Sequence, residues 1–522
     1  MTKGESHEPL GSAEPEVRTT GGAVRGRLED GLAVFRGIPF AEPPVGDARF
    51  AAPRPVSGWQ GVREAFSFGP PPPQEGALQV QQAVPRAAMP ATPTGDDWLT
   101  VNVWTSDPDP DARRPVMMWI YGGAYMLGFS GNPGYDARRI ASEGDVVAVT
   151  FNYRLGVEGF ARIDGAPANR GLLDQVAALQ WVRENIAAFG GDPDQVTIFG
   201  ESAGAGSVAA LLAMPSAAGL FRRAIVQSVP GTFFSDELGR DVAAAIAAQV
   251  GLRPTVGDLS RVDPSRLSTA EALLVPKMPQ YENRWGRLSQ KIWPFAPVVD
   301  GEVLPINTWQ ALAEGAGRQR ELIVGHNRDE FRMFMAMVGQ LGKISDEQTA
   351  LALRVLGPGP DGERAYRAAF PDASAEQLYE LVQEDWEYRM PALHLADAQV
   401  AGGGRAYMYE LTWPAPANGG VLGACHGLDV PLLFGTFDAH LGRRLLGPEP
   451  PSEAEAVGAR LRAAWTAFAA TGDPGWPPYD PQRRLVQVFD ADPMVTSYPE
   501  ETSRRLWQDH RFQALPLLSA QA

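Results

Sequence analysis

Gly200-Glu201-Ser202-Ala203-Gly204 sets a serine among small residues, directly after the β-branched apolar run QVTIF (195–199) and before the helical pattern AGSVAALLAM (205–214). A strand that turns sharply into a helix projects the serine hydroxyl away from the backbone, and flanking glycines relieve the crowding of that turn. The chemistry implied is nucleophilic attack. A neutral hydroxyl attacks poorly, so it needs a base, an acid to orient the base, and donors for the oxyanion that forms. The same five residues would also suit a tight corner with an idle serine, so the partners have to decide.

Where such a serine tops an α/β sheet, the chain order is serine, acid, histidine. His7 precedes the serine, and His326 leaves little room for an intervening acid, which leaves His394, His426, His440 and His510. His426 in GACHGLDVPLLFG (423–435) has small neighbours that let a loop present the imidazole, whereas His394 in MPALHLADAQV reads as a packed helix residue. His440 and His510, among charged and polar neighbours, read as surface residues. For the acid, ELIVGHNRDEF (321–331) is a strand running into a loop that holds Asp329 and Glu330 side by side, and the local pattern does not choose between them. Backbone donors are expected from IYGGAYMLG (120–128), which follows a strong strand, so that Gly123 and Ala124 join Ala203 around the serine.

These residues need a rigid frame. Apolar runs at 115–121, 145–153, 195–200, 222–228, 320–327 and 405–413 are nearly continuous, as in strands covered on both faces of a mostly parallel sheet. Between them lie helical patterns such as LLDQVAALQWVRENIAAF (172–189), so the fold class is α/β. Residues 1–16 read as a disordered polar tail and 17–516 as one domain, with no composition shift to divide it. Its lid-like loop is 68–98, rich in Pro, Ala and Gln, and residues 228–300 and 328–400 read as cap-like insertions.

Composition narrows the partners. A formal net charge of −16 with no basic run argues against nucleic acid. No stretch reaches the roughly 18 apolar residues of a membrane span. Six histidines, one cysteine and no zinc-type spacing argue against a metal centre. A lone Cys425 and an N-terminus without an apolar leader segment fit a cytoplasmic protein.

The assembled motifs resemble the type-B carboxylesterase and cholinesterase family of the α/β-hydrolase fold, including bacterial para-nitrobenzyl esterases, over roughly residues 17–510. The likeness is carried by FRGIPFAEPPVGDARFAAPRPVSGW (35–59), NYRLGVEGF (152–160), NRGLLDQVAALQWVRENIAAFGGDPDQVTIFGESAG (169–204) and AAWTAFAATGDPGWPPY (463–479). It implies a serine esterase that needs no cofactor, with Ser202 as nucleophile, Glu330 as acid, His426 as base, and Gly123, Ala124 and Ala203 as oxyanion donors. Glu201, Gly122 and Ser228 would support them. It also implies ion pairs of Arg49 with Asp96 and of Arg154 with Asp174. Departures are Phe331 and Val229, where glycine is usual, and Pro72 and Trp98, where secreted members pair cysteines. Phe129, Phe331 and Phe334, with Phe233, Phe234 and Trp285, are candidates for an apolar pocket that takes an acyl or aryl group of a small ester. An acyltransferase with the same residues and a non-catalytic binding module are the alternatives, and both monomer and homodimer remain open.

Overall fold

The computed structural model describes residues 14–74, 76 and 94–518. The lid-like loop 68–98 therefore lies largely outside the described residues, as does most of the expected tail; Glu16 already pairs with Arg25, because Val17 is buried opposite Val24.

One large sheet organises the chain. Its strands are β1 (Arg27–Glu29), β2 (Leu32–Pro39), β3 (Thr100–Thr105), β4 (Arg114–Ile120), β5 (Val147–Phe151), β6 (Gly191–Glu201), β7 (Arg223–Gln227), β8 (Glu321–Asn327), β9 (Arg405–Leu411), β10 (Leu485–Phe489) and β11 (Met494–Ser497). Their spatial order is β11-β10-β9-β8-β7-β6-β4-β5-β3-β2-β1. From β5 across to β10 every pairing is parallel, and the antiparallel pairings fall at the two margins. All of β5 and β7 is buried, which is why their sequences are apolar runs without alternation. Each such Val, Ile or Phe contributes about 1.5–3 kcal/mol by leaving water.

Helices cover both faces. Arg170–Asn185 buries Leu172, Val176, Leu179, Trp181 and Val182, and Ala203–Ala213 is buried along nearly its whole length. The stretch between β7 and β8 and that between β8 and β9 are largely helical; the latter ends in the helix Met390–Ala401. Among the described residues no helix is long and apolar enough to cross a membrane.

The strand order fixes where a site can form. The chain leaves β4 toward β5 on one side and leaves β6 toward β7 on the other, so the connections diverge between β4 and β6. Such a divergence opens a crevice at the carboxyl ends of the strands. Ile120 is in register with Gly200, so the loop after β4 and the turn after β6 emerge side by side there.

One expected ion pair forms and one does not. Arg154 and Asp174 are both buried and meet at 2.7 Å. Arg49, however, pairs with Glu158 at 2.5 Å and not with Asp96. The reason is burial: Glu158 is shielded from water and gains from a guanidinium partner, while Asp96 is exposed and solvated. Arg49 also donates to the carbonyls of Ser260 and Val262. His510 is half-buried, with its ring 4.7 Å from that of Trp507 and 4.8 Å from that of Phe512. His440 is exposed, and His394 sits in the helix Met390–Ala401 with its ring against Phe512.

Candidate active site

Ser202 stands between the end of β6 and the helix Ala203–Ala213 with φ 57° and ψ −125°, outside the regions a serine normally occupies. Strain of this kind persists only where the surroundings over-determine it. Here the Ser202 N–H donates to the Gln227 carbonyl and the Gly206 N–H to the Ser202 carbonyl. The turn also needs Gly204, where a Cβ would stand 1.9 Å from the Ile120 oxygen.

Beside the serine lies the loop after β4. Gly123 has φ 110°, and a Cβ there would meet the Leu127 oxygen at 2.1 Å, so only glycine fits. Its carbonyl accepts from the N–H groups of Met126 and Leu127, while Ala124 and Tyr125 are both left-handed. The result turns the N–H groups of Gly123 and Ala124 away from internal use. Among the described residues neither these nor the Ala203 N–H donates to another protein group. Gly122 packs against Glu201 and Ser202, which brings the two segments into direct contact.

The imidazole arrives from the other side. Asp329 and Cys425 form an isolated parallel bridge, which lays the loop after β8 against the loop bearing His426. Glu330 is fully buried; its Oε1 accepts from Ser228 Oγ at 2.6 Å and from the Asn327 N–H at 2.8 Å, and its Oε2 lies 2.6 Å from His426 Nδ1. Asp329 instead accepts from the Ala424 N–H at 2.8 Å and faces Arg328 and Arg332. The neighbouring acids thus divide their work, one toward the imidazole and the other stapling its loop. The opposite nitrogen of His426, Nε2, lies 3.0 Å from Glu201 Oε1. Among the described residues no hydrogen bond yet joins His426 to Ser202, and such contacts commonly tighten only with substrate bound.

Three buried carboxyl groups surround this histidine. Burial pushes the Glu201 carboxyl up to about 8, with Asp429 and Glu330 adding to the rise and His426 opposing it. Burial would lower His426, but the charges of Glu201 and Glu330 and the Glu330 hydrogen bond outweigh it and carry the imidazole up to about 9. The two shifts share a direction but not a cause: loss of water holds the proton on Glu201, and the adjacent carboxylates hold the proton on His426.

Several supporting residues escape a reading of the sequence. Asp429 is buried and accepts from Gln227 Nε2 at 2.6 Å, while Asn327 Nδ2 donates to the Cys425 carbonyl at 2.8 Å. Gln227 and Asn327 end β7 and β8, so the sheet itself ties the serine turn to the histidine loop. Tyr388 is buried with its ring 4.5 Å from that of His426. The only sequence signal for Gln227 and Asn327 was polarity at the carboxyl end of a buried strand.

Of the candidate pocket rings, Phe334 lies 5.0 Å from His426 and Phe331 lies 5.5 Å from Phe334. Phe129 packs against Phe68, Phe233 against Trp309, and Trp285 stacks on Tyr281, while Phe234 pairs in a short strand with Val298. Among the described residues none of these four makes a ring contact with His426, whose ring neighbours are Phe334 and Tyr388. Among the described residues there is no group of three or more His, Cys, Asp and Glu side chains that could hold a metal ion.

The sequence profile of the carboxylesterase family matches residues 13–507. The chain belongs to the carboxylesterase family. It is 35% identical to the para-nitrobenzyl esterase of Bacillus subtilis (strain 168) over 504 residues, covering 94% of this chain and 97% of the relative. It is 34% identical to the phenmedipham hydrolase of Pseudarthrobacter oxydans over 465 residues, covering 88% and 90%. A crystal structure of a Geobacillus stearothermophilus carboxylesterase superposes with a TM-score of 0.81 at 36% identity, covering 94% of this chain and all of that one. The protein is a carboxylic ester hydrolase of the α/β-hydrolase fold.

Proposed function

We propose that this carboxylesterase works through an acyl-enzyme on Ser202, with His426 as general base and acid, Glu330 as the group that orients it, and the N–H groups of Gly123, Ala124 and Ala203 as oxyanion donors. The observation that carries the reading is the 2.6 Å Glu330–His426 hydrogen bond set beside a serine held in a strained turn. Ser202 attacks the ester carbonyl as His426 Nε2 takes its proton, and Glu330 stabilises the imidazolium. The three amides bind the developing oxyanion, each worth about 10²–10³ in rate. His426 then protonates the leaving alcohol, and water repeats the sequence to free the acid. Glu201, Gly122 and Ser228 support this set, Ser228 by holding Glu330.

Only neutral imidazole accepts a proton, so the rate rises with pH through the His426 titration, which lies above its ordinary value. Phe331, Phe334 and Tyr388 form an aromatic wall against the imidazole, which favours small esters with apolar acyl or aryl groups. Relatives named for para-nitrobenzyl esters and for phenmedipham support the same class. We read residues 17–516 as one catalytic domain, with the 228–300 and 328–400 segments building its walls. The buried, unpaired Cys425 supports a cytoplasmic setting, and the acidic surface disfavours nucleic acid.

The test is p-nitrophenol release from short and medium p-nitrophenyl esters by wild type and Ser202→Ala. Turnover confined to the wild type is expected; equal turnover in a folded variant overturns the assignment.

A further inference from the structure

A cavity of about 320 Å³ opens beside Gly231 and Trp386, and none of Ser202, Glu330 and His426 lines it. Its walls come chiefly from residues 285–287, from Trp386 in the π-helical turn Asp385–Arg389, and from the segment 510–518. That segment is pinned in place, because the Leu515 N–H donates to the Phe233 carbonyl at 2.7 Å and the Ser235 N–H to the Leu515 carbonyl at 2.9 Å. Trp285, Trp386 and Phe512 are buried and give the cavity aromatic surface. The volume lies at the lower end of the roughly 300–1,000 Å³ of ligand pockets and suits one or two fused rings.

The charges around the cavity have one sign. In a chain of net charge −16, no aspartate or glutamate lines it among the described residues, whereas Arg287 and Arg511 do. Asp241, which accepts from the Trp285 indole N–H at 2.7 Å, is already paired with Arg284. Arg287 is half-buried and donates from Nε to the Val355 carbonyl at 3.1 Å and from Nη2 to the Gly357 carbonyl at 2.9 Å. Among the described residues no carboxylate pairs with it, and loss of water lowers the guanidinium from its ordinary value. Burial, with Arg287 and His394, pushes the His510 imidazole down to about 4, so that ring is neutral at working pH. A half-buried guanidinium without an anion, set beside aromatic surface, is complementary to a carboxylate carried on a ring.

We propose that this cavity is a second, non-catalytic binding site for a small aryl carboxylate, whose ring packs against Trp386 and Phe512 and whose carboxylate pairs with the half-buried Arg287 and the exposed Arg511. The inference does not depend on how the ester is cleaved, since no residue of the proposed acyl-enzyme set lines the site.

The experiment is titration calorimetry with 2-naphthoate on the full chain after an alkyl fluorophosphonate has abolished its esterase activity, which closes the crevice to the probe. One naphthoate per chain is expected to bind the treated protein. Arg287→Gln should weaken that binding at least about tenfold, as should replacing the probe by neutral 2-naphthamide, because a charge-assisted pair is lost in each case. The esterase rate of untreated Arg287→Gln reports whether its fold survives the loss of bonds to the Val355 and Gly357 carbonyls. Should it not survive, Arg511→Glu reverses the charge at an exposed position and should weaken naphthoate by a similar factor. No binding to the treated protein overturns the proposal. So does naphthamide bound as tightly as naphthoate, or naphthoate affinity unchanged in a folded Arg287→Gln or in Arg511→Glu.

Discussion

Replacing Glu201 with glutamine keeps the volume of the side chain and deletes one negative charge 3.0 Å from His426 Nε2. At an effective dielectric constant near 20, two unit charges at that distance interact by roughly 5 kcal/mol, an upper limit of about four pH units. The effect is smaller in practice, because burial brings Glu201 itself up to about 8, so it carries full charge only toward the alkaline side. A displacement of about one to three pH units follows for an opposite charge at such close range. The sign is fixed by the chemistry. An anion beside imidazolium favours the protonated form, so removing it lets His426 lose its proton at lower pH. The acid limb of the kcat/KM profile, which reports the free enzyme, therefore moves downward in Glu201→Gln. The assay is initial rates on p-nitrophenyl butyrate from about pH 5 to 10, read at the isosbestic wavelength of p-nitrophenol, with thermal unfolding as a control. A limb that stays in place, or that moves upward, refutes the claim that Glu201 holds a proton on the histidine.

Glu330→Gln should lower kcat by about 10⁴, since the amide cannot stabilise imidazolium, and stopped-time assays at high enzyme concentration will measure it. Ser228→Ala removes the 2.6 Å hydrogen bond to Glu330 Oε1 and should lower kcat about tenfold with little change in KM. Gly123→Ala forces a Cβ into the Leu127 carbonyl and withdraws an amide from the crevice, so kcat should fall about 10²–10³ and the melting temperature should fall as well. Asp174→Asn strands the buried Arg154 charge and should cost about 3–5 kcal/mol in urea unfolding.

The parallel strands were readable because two covered faces leave no polar alternation to hide them, as in DVVAVTFNY and RRAIVQS. The short antiparallel strands at the margin, such as Arg27–Glu29, carry two charges in three residues and gave no such signal. Ser202 and His426 stood out through small neighbours that announce tight turns. Glu330 and Asp329 did not separate locally, because the difference lies in which loop each faces, and the family likeness chose between them. For Arg49 it was the family likeness that pointed to Asp96, whereas in this chain the guanidinium pairs with the buried Glu158. Tyr388 was invisible, since a π-helical turn leaves no periodic trace in five residues.

The central claim is a covalent intermediate on Ser202. The most direct measurement is mass spectrometry of the protein after treatment with an alkyl fluorophosphonate, followed by peptide mapping. The account predicts one adduct per chain, on the peptide containing Ser202, formed in step with loss of esterase activity and absent from Ser202→Ala. Activity lost without an adduct on that peptide, or an adduct on another side chain, would contradict it.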